Sequence, residues 1–353
     1  MKKVGLYIHF PFCRRRCFYC HFFTQPFAVQ PVREYLTALA AEIHLRRDRD
    51  RLIDSVYIGG GSPSLLTPTQ LETIWRAVSD NFRIAANVEF SLECNPEDVR
   101  RDRLAGFRQL GVNRLSIGVQ SFATRDLLFL RRSHSSRQSR MAIAAAMEAG
   151  FTNLSIDMMI GLGTQSLDSL QQNFALLGKL SIPHVSVYLL EGVPQKRGHR
   201  QDSNDERHYF YSRRALQQLG YRHYEISNFC RPGSACRHNL KYWRNEPYIG
   251  IGPAAAGFED DRDSVNRPDL DAYRKFLAEG RLPPRSRRSI PPPQRRIVTG
   301  LRLFSGLPTA AFAEFAEPTA WLLENRLLMK KRNHIAVNPA KVLLLNEILG
   351  YFI

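Results

Sequence analysis

No stretch of this 353-residue chain approaches the ~18 consecutive apolar residues that a membrane-spanning helix needs. The first ten residues, Met-Lys-Lys-Val-Gly-Leu-Tyr-Ile-His-Phe, run straight into a cysteine cluster and leave no room for a cleavable signal peptide, so a cytoplasmic protein is expected. Cysteine is scarce, six in all, and none lies in a Cys-x-x-Cys-His motif, which excludes covalent c-type heme attachment. In a reducing compartment such thiols bind metal or do chemistry more often than they bridge. Acid is scarce as well: 33 Asp and Glu against 50 Lys and Arg, a formal charge of +17. That balance admits nucleic acid, an anionic membrane surface or a propionate-bearing porphyrin as partners. A solvated surface accounts for it equally well, because Arg100, Arg101, Arg103, Arg213 and Arg214 fall on the polar faces of expected helices. With no recognisable RNA-binding motif, nucleic acid ranks last.

What is present is concentrated. Cys13, Cys17 and Cys20 lie in Tyr7-Ile-His-Phe-Pro-Phe-Cys-Arg-Arg-Arg-Cys-Phe-Tyr-Cys-His-Phe-Phe23, interleaved with arginines and aromatics rather than with the aliphatics of a core. Cys-x3-Cys-x2-Cys supplies three thiolates, one short of the four that close an ordinary zinc or iron–sulfur site. On a four-iron cluster, three ligands leave one iron open.

Short β-rich runs recur, each followed by a helical stretch. Strands are expected at Val4–Phe10, Ser55–Ile58, Val88–Leu92, Arg114–Gly118, Asn153–Ile160 and His184–Leu190. Helices are expected over Val32–Arg46, Thr69–Asn81, Arg100–Leu110, Ser136–Ala149, Leu167–Leu180 and Asp205–Leu219, with Leu36, Leu39, Ala40 and Ile43 marking one apolar face. Gly111, Gly150 and Gly220 stand where a left-handed C-cap is wanted. Six such units imply parallel strands, in either a doubly wound sheet or a TIM-like barrel. Residues 1–222 form this unit. Beyond it come a strand at His223–Asn228, an irregular segment within 223–280, a Pro/Arg-rich linker at 281–293 and a helical, winged-helix-like C-terminal domain at 294–353.

The polar motifs fall at the C-terminal ends of the strands, where barrel sites are built. They are Gly59-Gly-Gly-Ser-Pro-Ser64, Glu93, Gln120, Arg132 in the next loop, and Asp157 inside an apolar run. With the cysteine motif they resemble the radical S-adenosylmethionine (SAM) proteins, and within these the coproporphyrinogen III oxidase family, from Tyr7 to about Phe258. The resemblance implies an incomplete (β/α)6 barrel, a [4Fe-4S] cluster on Cys13, Cys17 and Cys20, and SAM on its open iron. It carries SAM contacts onto Tyr7, Tyr19, Gly60, Gly61, Ser62, Glu93, Gln120, Arg132 and Asp157, Arg132 pairing with the SAM carboxylate. Ser62 stands where the family more usually has Thr, and Gly161-Leu-Gly lacks the usual Pro after Gly-Leu.

Two features separate subfamilies. The oxidases carry a further cysteine two residues after the third ligand, where this chain has Phe22. His238-Asn-Leu-Lys-Tyr-Trp243 is similar to a motif of the HemW-type heme chaperones. It implies heme binding through His238, Tyr242 and Trp243, with Cys230, Cys236 and other histidines left open as iron ligands. The expectation is therefore a heme carrier that needs an acceptor protein and an electron donor. Coproporphyrinogen III decarboxylation is the first alternative and radical SAM modification of RNA the second.

Overall fold

The computed structural model describes residues 2–190 and 199–353. Six strands lie side by side in chain order, each parallel to the next: β1 (Lys3–Phe10), β2 (Asp48–Gly60), β3 (Phe82–Cys94), β4 (Arg114–Gln120), β5 (Asn153–Ile160) and β6 (His184–Leu189). A doubly wound sheet reverses its strand order at a switch point. Here the order runs unbroken from β1 to β6, which decides for the barrel-type arrangement. The arc stays open: β6 and β1 do not pair, so this is an incomplete (β/α)6 barrel.

A helix follows each strand: α1 (Val29–Leu45), α2 (Pro68–Asn81), α3 (Arg101–Gln109), α4 (Ser136–Glu148), α5 (Leu167–Gly178) and α6 (His199–Gln218). The apolar stripe expected on α1 is buried through Val32, Tyr35, Leu36, Leu39 and Ile43. Thr67 and Ser135 cap α2 and α4 in reciprocal boxes with Gln70 and Gln138. Gly111, Gly150 and Gly220 all have positive φ (98°, 84° and 85°), as a left-handed C-cap requires. The strands carry the core in Leu6, Ile8, Val56, Ile58, Leu92, Leu115, Ile117 and Ile156.

Beyond the barrel the structure differs from expectation. The strand expected at His223–Asn228 is two, β7 (Arg222–Glu225) and β8 (Asn228–Cys230), and β8 pairs antiparallel with β6. The stretch expected to be irregular contains α7 (Arg237–Arg244), β9 (Tyr248–Ile251) and β10 (Ala256–Glu259). Strand β9 adds parallel to the free edge of β1, pairing Gly5 with Tyr248, so burial by β1 orders a segment whose own sequence looks loop-like. The expected linker supplies β12 (Arg285–Arg288), paired with β11 (Arg262–Asn266) at the end of one twelve-stranded sheet. The C-terminal residues gather on a second apolar cluster that includes Ile297, Leu301, Phe312, Leu322, Ile335, Ile348 and Phe352. They also form a three-stranded sheet with His334–Val337 at its centre. The domain is not all helical as expected: the helix Ala316–Glu324 ends before Arg326, which turns left-handed (φ 55°), and Leu328–Lys331 is a strand.

Candidate functional site at the barrel mouth

The cysteine loop leaves the C-terminal end of β1. Its base is cinched by a two-residue parallel pairing of Phe12–Cys13 with Gln25–Pro26, and Phe27 N–H donates to the Cys13 carbonyl at 2.9 Å. Cys13, Cys17 and Cys20 are free and half-buried. They line one cavity of about 600 Å³ together with Tyr19, Gly60, Gly61, Ser62, Glu93, Gln120, Arg132 and Asp157. That is a volume suited to a cofactor-sized ligand.

The glycine segment is dictated by close approach. Gly61 N–H donates to the Phe10 carbonyl (2.7 Å) and Ser62 N–H to the Phe12 carbonyl (2.8 Å). A Cβ on Gly60, whose φ is +102°, would lie 2.4 Å from the His9 ring, and one on Gly61 would lie 2.6 Å from the Phe12 oxygen. The segment is thereby locked against the cysteine loop, and Ser62 Oγ sits 3.4 Å from Cys13 Sγ.

From Ser62 a polar chain crosses the mouth. Asn95 donates to Ser62 Oγ (2.7 Å) and accepts from Arg132 Nη2 (2.6 Å), while Arg132 Nη1 points at Cys17 Sγ (3.3 Å). Arg132 Nε is buried without a partner, an orphaned donor at the cavity that an anionic ligand group would satisfy. The Tyr19 hydroxyl lies beside Arg132 and Cys17, and burial raises its pKa. Asn95 was missed from sequence, since Asn before Pro reads as an ordinary turn residue.

Glu93, at the end of β3, accepts from Tyr57 Oη (2.8 Å) and from Gly60 N–H (3.0 Å). Burial, with the neighbouring Asp157 charge, pushes its carboxyl up to about 7. Asp157 accepts from Ser116 Oγ (3.2 Å) on β4 and is raised by burial to about 6, opposed by hydrogen bonds from Ser186 and Ser116. Two buried acids of raised pKa facing one cavity suit a cationic ligand group better than a structural ion pair. Gln120 closes β4 at φ 64°, a left-handed conformation uncommon for glutamine, and it lines the cavity. Tyr7 is set back: it is not among the lining residues, and its hydroxyl meets His9 Nδ1 at 3.1 Å behind the glycine segment.

The donor set fits a cluster. Three thiols on one loop can each take a different iron of a cluster; among the described residues no three His, Cys, Asp or Glu side chains gather closely enough to hold a single metal ion. Burial pushes the Cys13 thiol up to about 11, with Ser62 opposing it, so cluster assembly must displace a proton there.

The residues expected to hold heme, His238, Tyr242 and Trp243, lie outside this cavity. Helix α7 seals the opposite end of the barrel, near the starts of the strands. His238 is 0% exposed, hydrogen-bonded through Nδ1 to Ser55 Oγ (2.9 Å) and stacked 5.4 Å from the Tyr57 ring. Lys241 pairs with Asp54 at 2.8 Å, and a Cβ on Gly5 would lie 2.9 Å from Lys241 Cδ and 3.1 Å from His238 Cε1. The Tyr57 ring, whose hydroxyl donates to Glu93, separates His238 from the cavity. Tyr242 packs edge-on against His238 (5.2 Å), and Arg302 lies over the Trp243 ring (5.2 Å). In this structure the six-residue motif packs as a plug, with His238 Nε2 and Trp243 Nε1 buried without partners. Cys230 and Cys236 are buried too.

Residues 7–177 match the Radical SAM superfamily. Curated relatives include the heme chaperone HemW of Synechocystis, 36% identical over 296 residues that cover 78% of this chain and 71% of the other. The heme chaperone HemW of Bacillus subtilis is 31% identical over an alignment 372 positions long that covers 98% of each chain. Among solved structures, the coproporphyrinogen III oxidase HemN of Escherichia coli superposes with a TM-score of 0.86 at 24% identity, over 99% of this chain and 90% of that one. That likeness shows the fold. The full-length identity to a curated relative shows more: this chain belongs to the HemW heme chaperone family of radical SAM proteins.

Proposed function

We propose that this protein is a heme carrier that holds a [4Fe-4S] cluster and SAM at the barrel mouth and passes heme to an acceptor protein. The observation that carries the reading is the convergence of Cys13, Cys17 and Cys20 on the cavity shared by Ser62, Glu93, Gln120, Arg132 and Asp157. The names of the curated relatives supply the heme. In this reading the three cysteines would ligate the cluster, and the cluster would chelate SAM at its open iron. Arg132 would hold the SAM carboxylate through its free Nε, and Glu93 its ammonium. Asp157 and Gln120 would orient the remainder, while Tyr19 keeps water from the thiolates.

Phe22, 62% exposed at the rim, favours the carrier over coproporphyrinogen III oxidation, because the resembling oxidases have a thiol at that position. No helix among the described residues is long and apolar enough to cross a membrane, which fits a cytoplasmic carrier. The electron donor would be a separate protein. Anaerobic purification with iron and sulfide analysis, hemin titration and a coproporphyrinogen III assay test the reading together. Tight hemin binding without porphyrinogen turnover supports it; vinyl-bearing product moves the protein to the oxidases, and RNA-dependent SAM cleavage to the modifying enzymes.

A further inference from the structure

We propose that heme docks on the rim of the same cavity, with His21 as axial iron ligand, Phe22 against the macrocycle and Arg15 and Arg16 toward the propionates. The inference rests on the carrier reading above and names the site that reading leaves open once His238 is found buried.

His21 is exposed and is the one histidine, among the described residues, that lines the cavity. Of the other described histidine side chains, His334 is exposed but does not line the cavity, and the rest are buried or engaged elsewhere. His9, His134, His184, His208 and His238 are each no more than 6% exposed. His223 is stacked 3.9 Å from Phe229, and His44 bonds to Asn81 on another surface. Ligation needs a ring nitrogen free to meet the iron, and an exposed ring at the rim of a wide cavity offers that.

The surroundings supply the rest of a heme's needs. A single exposed Phe needs no explanation, but Phe22 stands beside His21 over a cavity whose apolar wall includes Met159, Leu189 and Leu190. Of the three consecutive arginines, Arg14 is taken by Asp98 at 2.8 Å. Arg15 and Arg16 have no carboxylate within ion-pair distance among the described residues, and Arg16 holds only the Cys20 carbonyl (3.2 Å). Two cations without counter-ions at the edge of a cavity that also offers an aromatic ring and an imidazole match an amphiphilic disk with two carboxylates. The cinched base between Phe12–Cys13 and Gln25–Pro26 fixes both ends of the loop that carries all four residues. Because His21 directly follows Cys20, the heme iron would lie beside the cluster, and cluster assembly would set the loop shape that receives heme.

The test is hemin titration of cluster-loaded protein, followed by the Soret band and by electron paramagnetic resonance of the ferric heme, to which the oxidised, diamagnetic cluster contributes nothing. His21→Gly should lose at least tenfold in hemin affinity and change the ligand-field signature, and added imidazole should restore it. Arg15→Gln with Arg16→Gln should weaken binding several-fold and flatten its salt dependence. Iron and sulfide counts confirm that each variant keeps its cluster. If glycine disturbs the loop, His21→Gln, which has no ring nitrogen, carries the same test. Wild-type affinity and an unchanged heme signal in the His21 variants overturn this inference and leave the carrier reading standing. Failure of the wild-type protein to bind hemin overturns both.

Discussion

Replacing His238 with Phe distinguishes a barrel plug from a heme ligand. The ring is fully buried, stacked on Tyr57 and hydrogen-bonded to Ser55 Oγ, and burial lowers its pKa from the ordinary value to about 3. Phe keeps much of the volume but orphans the Ser55 hydroxyl, which costs about 1–2 kcal/mol at pH 7. The pH dependence is sharper. A histidine held neutral in the fold binds its proton mainly in the unfolded chain. Its contribution is therefore complete above the unfolded value near 6.5 and is lost as pH falls from there toward 3. At ~1.4 kcal/mol per pH unit, wild-type protein should lose about 2 kcal/mol through this residue between pH 6.5 and 5, and the Phe variant should not. The stability gap seen at pH 7 should therefore close or reverse at pH 5. Urea unfolding followed by tryptophan fluorescence at both pH values reads it directly. A gap unchanged between pH 7 and 5, together with a large loss of hemin affinity, would refute the plug and return His238 to the heme.

The same reasoning yields further tests. Replacing Cys13, Cys17 and Cys20 together with Ser should remove the roughly four irons of the cluster, whereas replacing the buried Cys94, Cys230 and Cys236 should leave them, as iron and sulfide analysis will show. Because Glu93 is raised to about 7, it is mostly protonated at pH 6 and must ionise to hold an ammonium. SAM affinity, measured calorimetrically, should rise from pH 6 to pH 8 with proton release at the lower pH, and Glu93→Gln should abolish both trends. Arg132→Lys keeps the charge but loses the fork that spans Asn95, Cys17 and the free Nε, so SAM should bind about tenfold more weakly with the cluster intact. Gly60→Ala forces a Cβ onto the His9 ring at φ +102° and should destabilise the fold by ~2 kcal/mol or more in the same urea assay.

Much of the barrel was legible because its strands are buried on both faces and read as apolar runs. Asn153–Ile160 is found at the expected bounds, and α2 begins one residue early, at Pro68. Strand β2 begins at Asp48 rather than Ser55: its first four residues, Asp-Arg-Asp-Arg, look like a loop and are held by the pairing of Asp48 with Phe82 and by the Arg51 contacts to Asp48 and Glu259. The cavity residues were legible as polar groups at strand ends. Tyr57 and Asn95 were not, because an aromatic in a strand and an Asn before Pro have ordinary explanations. The plug helix was misread for a related reason. Eight residues rich in His, Lys and Arg are too short and too polar on average to stand out as a helix, and only the barrel floor (Ser55, Asp54 and Glu89) accounts for the burial of His238 and Lys241. In β12, the prolines and arginines around 281–293 concealed four residues that extend a sheet.

Pairing Gly5 with Tyr248 gives β1 two neighbours, one of which is synthesised long after it. During translation the root of the cluster loop is supported on one side only until β9 emerges, and until then β1 is an exposed sheet edge. Such a long-range closure is slow to form and prone to mispairing. A chain cut after residue 222 would carry the complete cysteine motif yet keep that edge open, so it should aggregate more readily than the full-length chain. The C-terminal segment thus acts as a late clasp, and maturation of the cofactor loop is tied to completion of the chain.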